Sequence, residues 1–328
     1  MRAALMRATV TLAAILAGVA GIAPGMAQDV FPSRTVRIIV PVQGGTMDLL
    51  ARLVAPGLAE SLGQAVLVET KAGAGGNIGT DYVAKAPPDG STLLVAFNGP
   101  IAINPTLFDK LPFDPVKDLA PITHAVSSPQ FLVVHPSVPV NNVAELVAYA
   151  KARPGKLNYG SIAVGGGSHL TMEMLKTAAG IDLVHVPYKG SAPAINDVIA
   201  GTVQAAFLVP GNVLPYMKSG QMKVLASTGR RRLASTPGVP TMIESGYADF
   251  EAISWIGFMA PGGTPKNIID WYNRELVRIL KLPEVRDKLT AIDFEVVAGS
   301  AESFGELIRA EIPKWGKIIR QTGTRATN

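Results

Sequence analysis

The 328-residue chain contains no cysteine. That excludes a disulfide framework and any thiolate metal site, so the fold must hold through its core. Basic residues are few and scattered. The longest basic run is Arg230-Arg231-Arg232, and no aromatic residues alternate with it. The formal charge of +5 becomes +3 once Arg2 and Arg7 are discounted. Such a profile argues against nucleic acid as a partner. Only four histidines occur, His124, His135, His169 and His185, and no two have H-x-x-x-H or H-E-x-x-H spacing. Neither a metal site nor a cofactor is expected. A G-x-S-x-G elbow and a Walker loop are also missing. The segment Gly73-Ala74-Gly75-Gly76-Asn77 resembles a dinucleotide loop only loosely.

What is present begins with an address. Arg2 and Arg7 precede an uncharged run from Thr9 to Ile22, and Gly25-Met26-Ala27 reads as a small-x-small cleavage site. Residues 1–27 are expected to be a signal peptide, leaving Gln28 first. The run is short for a transmembrane helix. The expected product is a soluble periplasmic protein. Its roughly 300 remaining residues are long for one core, so two domains are the default.

The rest alternates between β and helical patterns. Short β-rich runs at 35–40, 65–69, 92–97, 131–135, 157–161, 182–186, 205–209 and 224–228 are separated by helical periodicity. Parallel sheets with helices on both faces follow. The segments 266–280, 284–291 and 301–321 read as a mostly helical end.

Small-residue loops sit where strands pass into helices: Gln43-Gly44-Gly45-Thr46, the stretch from Ser161 through Gly165-Gly166 to Ser168-His169, and Tyr188-Lys189-Gly190-Ser191. Small side chains let a ligand reach the backbone, and a helix start offers free N–H groups to an anion. Open α/β sheets bind ligands outside the carboxyl ends of their strands. For single residues, Lys189 reads as an ion partner or a solvated loop lysine, Asp48 as a helix-start acid, and Trp255 as a cleft wall or core filler.

In their order and spacing these segments resemble a known family. The carriers are Val36-Arg37-Ile38-Ile39-Val40-Pro41 with Gly44-Gly45, Gly73 to Gly79, Pro88-Asp89-Gly90-Ser91-Thr92-Leu93-Leu94, and Ile103-Asn104-Pro105. Tyr159-Gly160-Ser161 through Ser168-His169-Leu170, His185-Val186-Pro187-Tyr188-Lys189-Gly190, Pro240-Thr241, Glu244-Ser245-Gly246 and Ala260 to Pro265 complete the set. The chain resembles the periplasmic receptors of tripartite tricarboxylate transporters, the Bug receptors. The resemblance implies a type II periplasmic-binding-protein fold of two α/β lobes with a central ligand cleft. It also implies a monomer that captures a small organic acid for membrane transporter subunits and does not catalyse.

Lobe one is expected over 28–128 and 254–328, and lobe two over 129–253. Candidate ligand contacts are Gln43, Gly44, Gly45, Thr46, Phe97 and Asn98 from lobe one. From lobe two they are Ser161, Gly165, Gly166, Ser168, Tyr188, Gly190, Ser191 and Pro210. The helix starts near Ser168 and Ser191 are expected to hold a carboxylate, while Leu208-Val209-Pro210 suggests an apolar wall. The alternatives are a sensor signalling to a membrane kinase, and a serine hydrolase pairing Ser161 or Ser168 with His169.

Overall fold

A computed structural model describes residues 34–162, 164–188 and 190–326. The expected signal peptide and Lys189 lie outside the described residues. In chain order the strands are β1 (Val36–Val40), β2 (Val66–Thr70), β3 (Thr92–Phe97), β4 (Leu119–Pro129), β5 (Phe131–Val134), β6 (Asn158–Ile162), β7 (Val184–Tyr188), β8 (Ala205–Leu208), β9 (Lys223–Ser227), β10 (Ile253–Pro261) and β11 (Glu295–Val296). The helices are α1 (Gly45–Leu62), α2 (Asn77–Ala84), α3 (Asn104–Leu107), α4 (Val143–Lys151), α5 (Gly167–Ala179), α6 (Ser191–Ile199), α7 (Leu214–Lys218), α8 (Lys266–Leu280), α9 (Pro283–Thr290) and α10 (Ala301–Thr322).

The strands form two sheets, ordered β11-β4-β10-β3-β1-β2 and β7-β6-β8-β5-β9. Each is the centre of an α/β lobe. Side chains alternate across each strand, so both faces of each sheet need cover. In the first sheet Val36, Ile38 and Val40 face Leu50, Val54 and Leu58 of α1 and Tyr272 and Leu276 of α8. Ile39, Leu94 and Met259 face Phe304, Ile308 and Trp315 of α10. In the second sheet α4 and α5 cover one face and α6 the other.

Both sheets are mixed rather than wholly parallel. β1 pairs in parallel with β2 and β3, but β10 runs antiparallel to β3 and β4. β6 is parallel to β7 and β8, whereas β5 is antiparallel to β8 and β9. The C-terminal stretch is therefore not purely helical, since it contributes β10 and β11. Period-2 alternation does not reveal β10, because from Trp255 to Pro261 every residue is buried.

That mixture positions the site. β3 ends at Phe97 opposite Ile256 near the start of β10, and β10 begins at Ile253 opposite Pro129 at the end of β4. In the other lobe β8 ends at Leu208 opposite Phe131, where β5 begins, and Phe131 also faces Ser227 at the end of β9. Both chain crossovers, β4 to β5 and β9 to β10, thus join the carboxyl edge of one sheet to the carboxyl edge of the other. The two crossovers are tied together. The Gln130 amide donates to Thr228 Oγ1 at 2.7 Å, the Thr228 amide donates to the Gln130 carbonyl at 2.9 Å, and Thr228 Oγ1 donates to the Ala252 carbonyl at 2.5 Å.

Gly257 shows how tightly lobe one is built. A Cβ there would lie 2.5 Å from Phe304 Cζ and 2.6 Å from the Thr123 carbonyl oxygen. The carbonyl belongs to the neighbouring strand and has little room to move. Gly257→Ala is expected to lower stability by about 2–3 kcal/mol, the upper part of the range for overpacked cores. Urea denaturation at fixed slope measures it, and a loss under about 0.5 kcal/mol, the scale of a neutral surface change, contradicts it.

Candidate functional site

The glycine loops stand on the two facing carboxyl edges. Gln43, Gly44 and Gly45 follow β1 and are exposed, with Thr46 partly covered in the first turn of α1. Nothing lies within 4 Å of a Cβ placed on Gly44 or Gly45. Asp48 is spent on an ion pair with Arg52 at 2.8 Å. Phe97, partly covered, ends β3, and Asn98, buried, follows it. Phe97 packs under the second glycine loop, where a Cβ on Gly76 would stand 2.9 Å from its ring.

Lobe two meets lobe one where Leu170 of α5 enters the cluster around α10, and three small residues of lobe two also stand against lobe one. Gly165 has φ +72° and sits against the Leu107 side chain, so that any Cβ would overlap it. A Cβ on Gly167 would be 3.3 Å from Asn98 Nδ2 and 3.8 Å from Gln130 Nε2. A Cβ on Gly211 would be 2.9 Å from the Ile292 carbonyl oxygen. Gly167 opens α5, whose start at Gly166 is capped by no side chain. Its first-turn N–H groups lack intrahelical acceptors and carry the positive end of the helix dipole.

Beside this bare helix start, two buried side-chain atoms have no hydrogen-bond partner: Asn98 Nδ2 and Gln130 Oε1. Asn98 is 7% exposed and Gln130 3%. A buried donor without an acceptor costs about 1–3 kcal/mol. An anion between the lobes would supply the acceptor that Asn98 lacks. The sequence does not mark Gln130 as a candidate. It lies in a crossover, and no local pattern marks it. Its amide Nε2 is held by Thr171 Oγ1 of α5 at 3.1 Å.

The other candidates divide. Ser168 Oγ accepts from the Ile162 amide at 2.9 Å and so closes the loop that contains Gly165 and Gly166. Ser161 is wholly buried beneath it. Tyr188 lies on the opposite sheet face, under α6, where its hydroxyl donates to Asp197 Oδ2 at 2.5 Å. Burial first, and that bond second, push its pKa up to about 12. Gly190 and Ser191 begin α6, across the sheet from α5, with open space above Gly190. Pro210 is buried after β8. Leu208 does not form a cleft wall: it packs with Phe131, Val133 and Val198 in the core below α6. Alternation along β8 turns it there, opposite to Phe207. Trp255 is core as well, edge-on to Phe304 with ring centroids 5.4 Å apart.

Under the Gly165 loop lies a buried polar cluster. The parallel register sets Tyr159 opposite His185, and the helix adds His169 from above. The two imidazoles stack with centroids 3.8 Å apart and planes within 4°. His185 Nε2 is 2.6 Å from Ser161 Oγ. His169 Nδ1 accepts from the Gly165 amide at 2.8 Å. Glu173 Oε1 accepts from Tyr159 Oη at 2.6 Å and Lys176 Nζ at 2.8 Å. Burial, then the neighbouring His185, lowers the His169 pKa to about 4, and burial also lowers that of His185. Ser161 thus has a base within reach, but it is His185, not His169. No group of three or more potential metal ligands occurs among the described residues.

Two mixed α/β lobes, joined by paired crossovers with glycine loops on the facing edges, define a two-lobed solute-binding protein. The chain belongs to the family described as the tripartite tricarboxylate transporter family receptor, whose model matches residues 50–324. It is 36% identical over 313 residues to protein BugT of Bordetella pertussis, covering 95% of this chain and 96% of that protein. The solved structure of R. palustris Rpa4515 with adipate superposes with a TM-score of 0.82 at 35% identity, covering 90% of this chain and 99% of that one. MatC from Rhodopseudomonas palustris with bound malate gives 0.80 at 31% identity, over 88% and 100% of the two chains.

Proposed function

We propose that this receptor captures a small dicarboxylate between its lobes in the periplasm, as a monomer, and presents it to membrane transporter subunits. One carboxylate sits at the start of α5, between its first-turn amides and Asn98 Nδ2. The observation that carries this is the unpartnered, buried Asn98 donor beside an uncapped helix start. The anion answers both needs at once. Adipate and malate in the two related structures supply the chemical class. In this reading 28–128 and 254–328 form one lobe and 129–253 the other, with residues 1–27 removed on export. The Gln43–Thr46 loop and the α6 start at Gly190 and Ser191 flank the same cleft and receive the distal half of the ligand.

The Ser161–His185 pair favours a second reading, a hydrolase. Against it, Ser161 has no exposed surface and lies under the loop a substrate would have to cross. The experiment that separates the readings is a titration of the secreted protein with adipate, malate and the neutral adipamide. The acids are expected to raise thermal stability, by about 2.7 kcal/mol at 100 times the dissociation constant, and to be recovered unchanged. Stabilisation by adipamide alone, or consumption of any acid or of an ester analogue, overturns the receptor reading.

A further inference from the structure

We infer that His169 is a positioning residue of the cleft, whose Nδ1 must remain an acceptor to hold Gly165, and with it the loop where lobe one lands. The inference rests on the carboxylate-receptor reading for its meaning, and on the geometry of the loop for its substance.

A backbone N–H can only donate. The Gly165 amide, 2.8 Å from Nδ1, therefore fixes His169 as the tautomer with its proton on Nε2. Nε2 is turned toward Glu173 Oε1, 3.9 Å away. Gly165 is the residue on which Leu107 of the other lobe rests. Between Ile162, held by Ser168 Oγ, and Gly165, held by His169, both ends of the turn are pinned to the first turn of α5. The pins come from the same turn that stands beside Asn98 Nδ2. Moving the loop would therefore move the seat of closure relative to the anion site.

Protonating Nδ1 removes this acceptor. The groups facing the imidazole are His185 on β7, Tyr159 on β6, and Glu173 and Lys176 on α5 itself. Glu173 is the only acidic group among these, and it already accepts from Tyr159 and Lys176. Stacking on His185 opposes a second positive charge, and burial opposes the first. The folded-state pKa of about 4 lies below the ordinary 6.5. The neutral, loop-holding form is thus kept at neutral pH and is lost only as pH falls through about 4.

The test begins without any ligand. In the full secreted protein with 15N-labelled histidine and glycine at pH 7, a through-hydrogen-bond 15N–15N coupling is expected between the Gly165 amide and His169 Nδ1, with the His169 proton on Nε2. A proton on Nδ1 overturns the inference whether or not the carboxylate reading stands. Adipate is then titrated against wild type, His169→Asn and His169→Leu, with folding checked by circular dichroism. The Asn Oδ1 can take the place of Nδ1 but cannot gain a proton. At pH 7, His169→Asn is expected to bind within about threefold of wild type, and His169→Leu about tenfold or more weaker, the scale of one lost buried hydrogen bond. At pH 4 wild type should have weakened about twofold more than His169→Asn, and the gap should widen below that. A ratio that stays flat, or equal affinity in His169→Leu, overturns the positioning role. Adipate binding to none of the three while the coupling is present faults the ligand reading alone.

Discussion

Asn98→Ala is expected to weaken adipate binding by roughly 10- to 150-fold while leaving the empty protein as stable as before, or more so. The two halves come from the same atom. A hydrogen bond to a charged group is worth about 1.5–3 kcal/mol, and at 1.4 kcal/mol per tenfold that gives the stated range. In the empty molecule Nδ2 is buried with no acceptor. Removing it therefore takes away an unsatisfied donor rather than an interaction. Most substitutions of a residue only 7% exposed cost stability, so this sign is unusual. Isothermal calorimetry gives the affinity and urea denaturation the stability. Loss of both together would mean that Asn98 holds the fold rather than the ligand.

Gly165→Ala is expected to have the second large effect, on lobe closure. At φ +72° an alanine costs about 1–2 kcal/mol in backbone strain. Its methyl group would also overlap Leu107, adding about 1–3 kcal/mol of overpacking. The overlap exists only when the lobes touch. The strain is present in both forms, but the steric part can be relieved by opening, so the substitution shifts the population toward open molecules. Adipate affinity should fall about 10-fold or more, and at a ligand concentration that saturates wild type, X-ray scattering should show a larger radius for Gly165→Ala than for wild type. Adding Leu107→Ala should restore part of the affinity, since it removes the steric part and leaves the backbone part. Unchanged affinity and radius in Gly165→Ala would show that this contact does not report closure.

Local pattern reading worked where local chemistry decides. The Leu93–Val95 run and its Gly90 turn mark β3, and α8 shows its period from Ile268 to Leu280. β4 and β10 are not legible: Pro121 and Gly257 interrupt strand propensity, and in β10 burial on both faces erases alternation. Strand partners, not the residues themselves, make those segments strands. The candidate site shows the same division. The glycine loops and Asn98 follow strand ends and so announce themselves. Gln130 becomes part of the site only because two crossovers pair beside α5. His185 reaches Ser161 only because β6 and β7 align in parallel, a juxtaposition of residues 24 apart in sequence. Ser168 and Ser191 open helices that cover opposite faces of one sheet, a division that no pattern within either loop reveals.

The most direct test of the carboxylate seat is a crystal structure of the secreted protein grown with adipate. One carboxylate is expected within 3.2 Å of Asn98 Nδ2 and of at least one first-turn amide of α5, the reach of a hydrogen bond. A carboxylate seated instead at Ser191 with Asn98 still unpartnered, or in the groove of about 440 Å3 between α5, Tyr247–Phe250 and the end of α10, would contradict it.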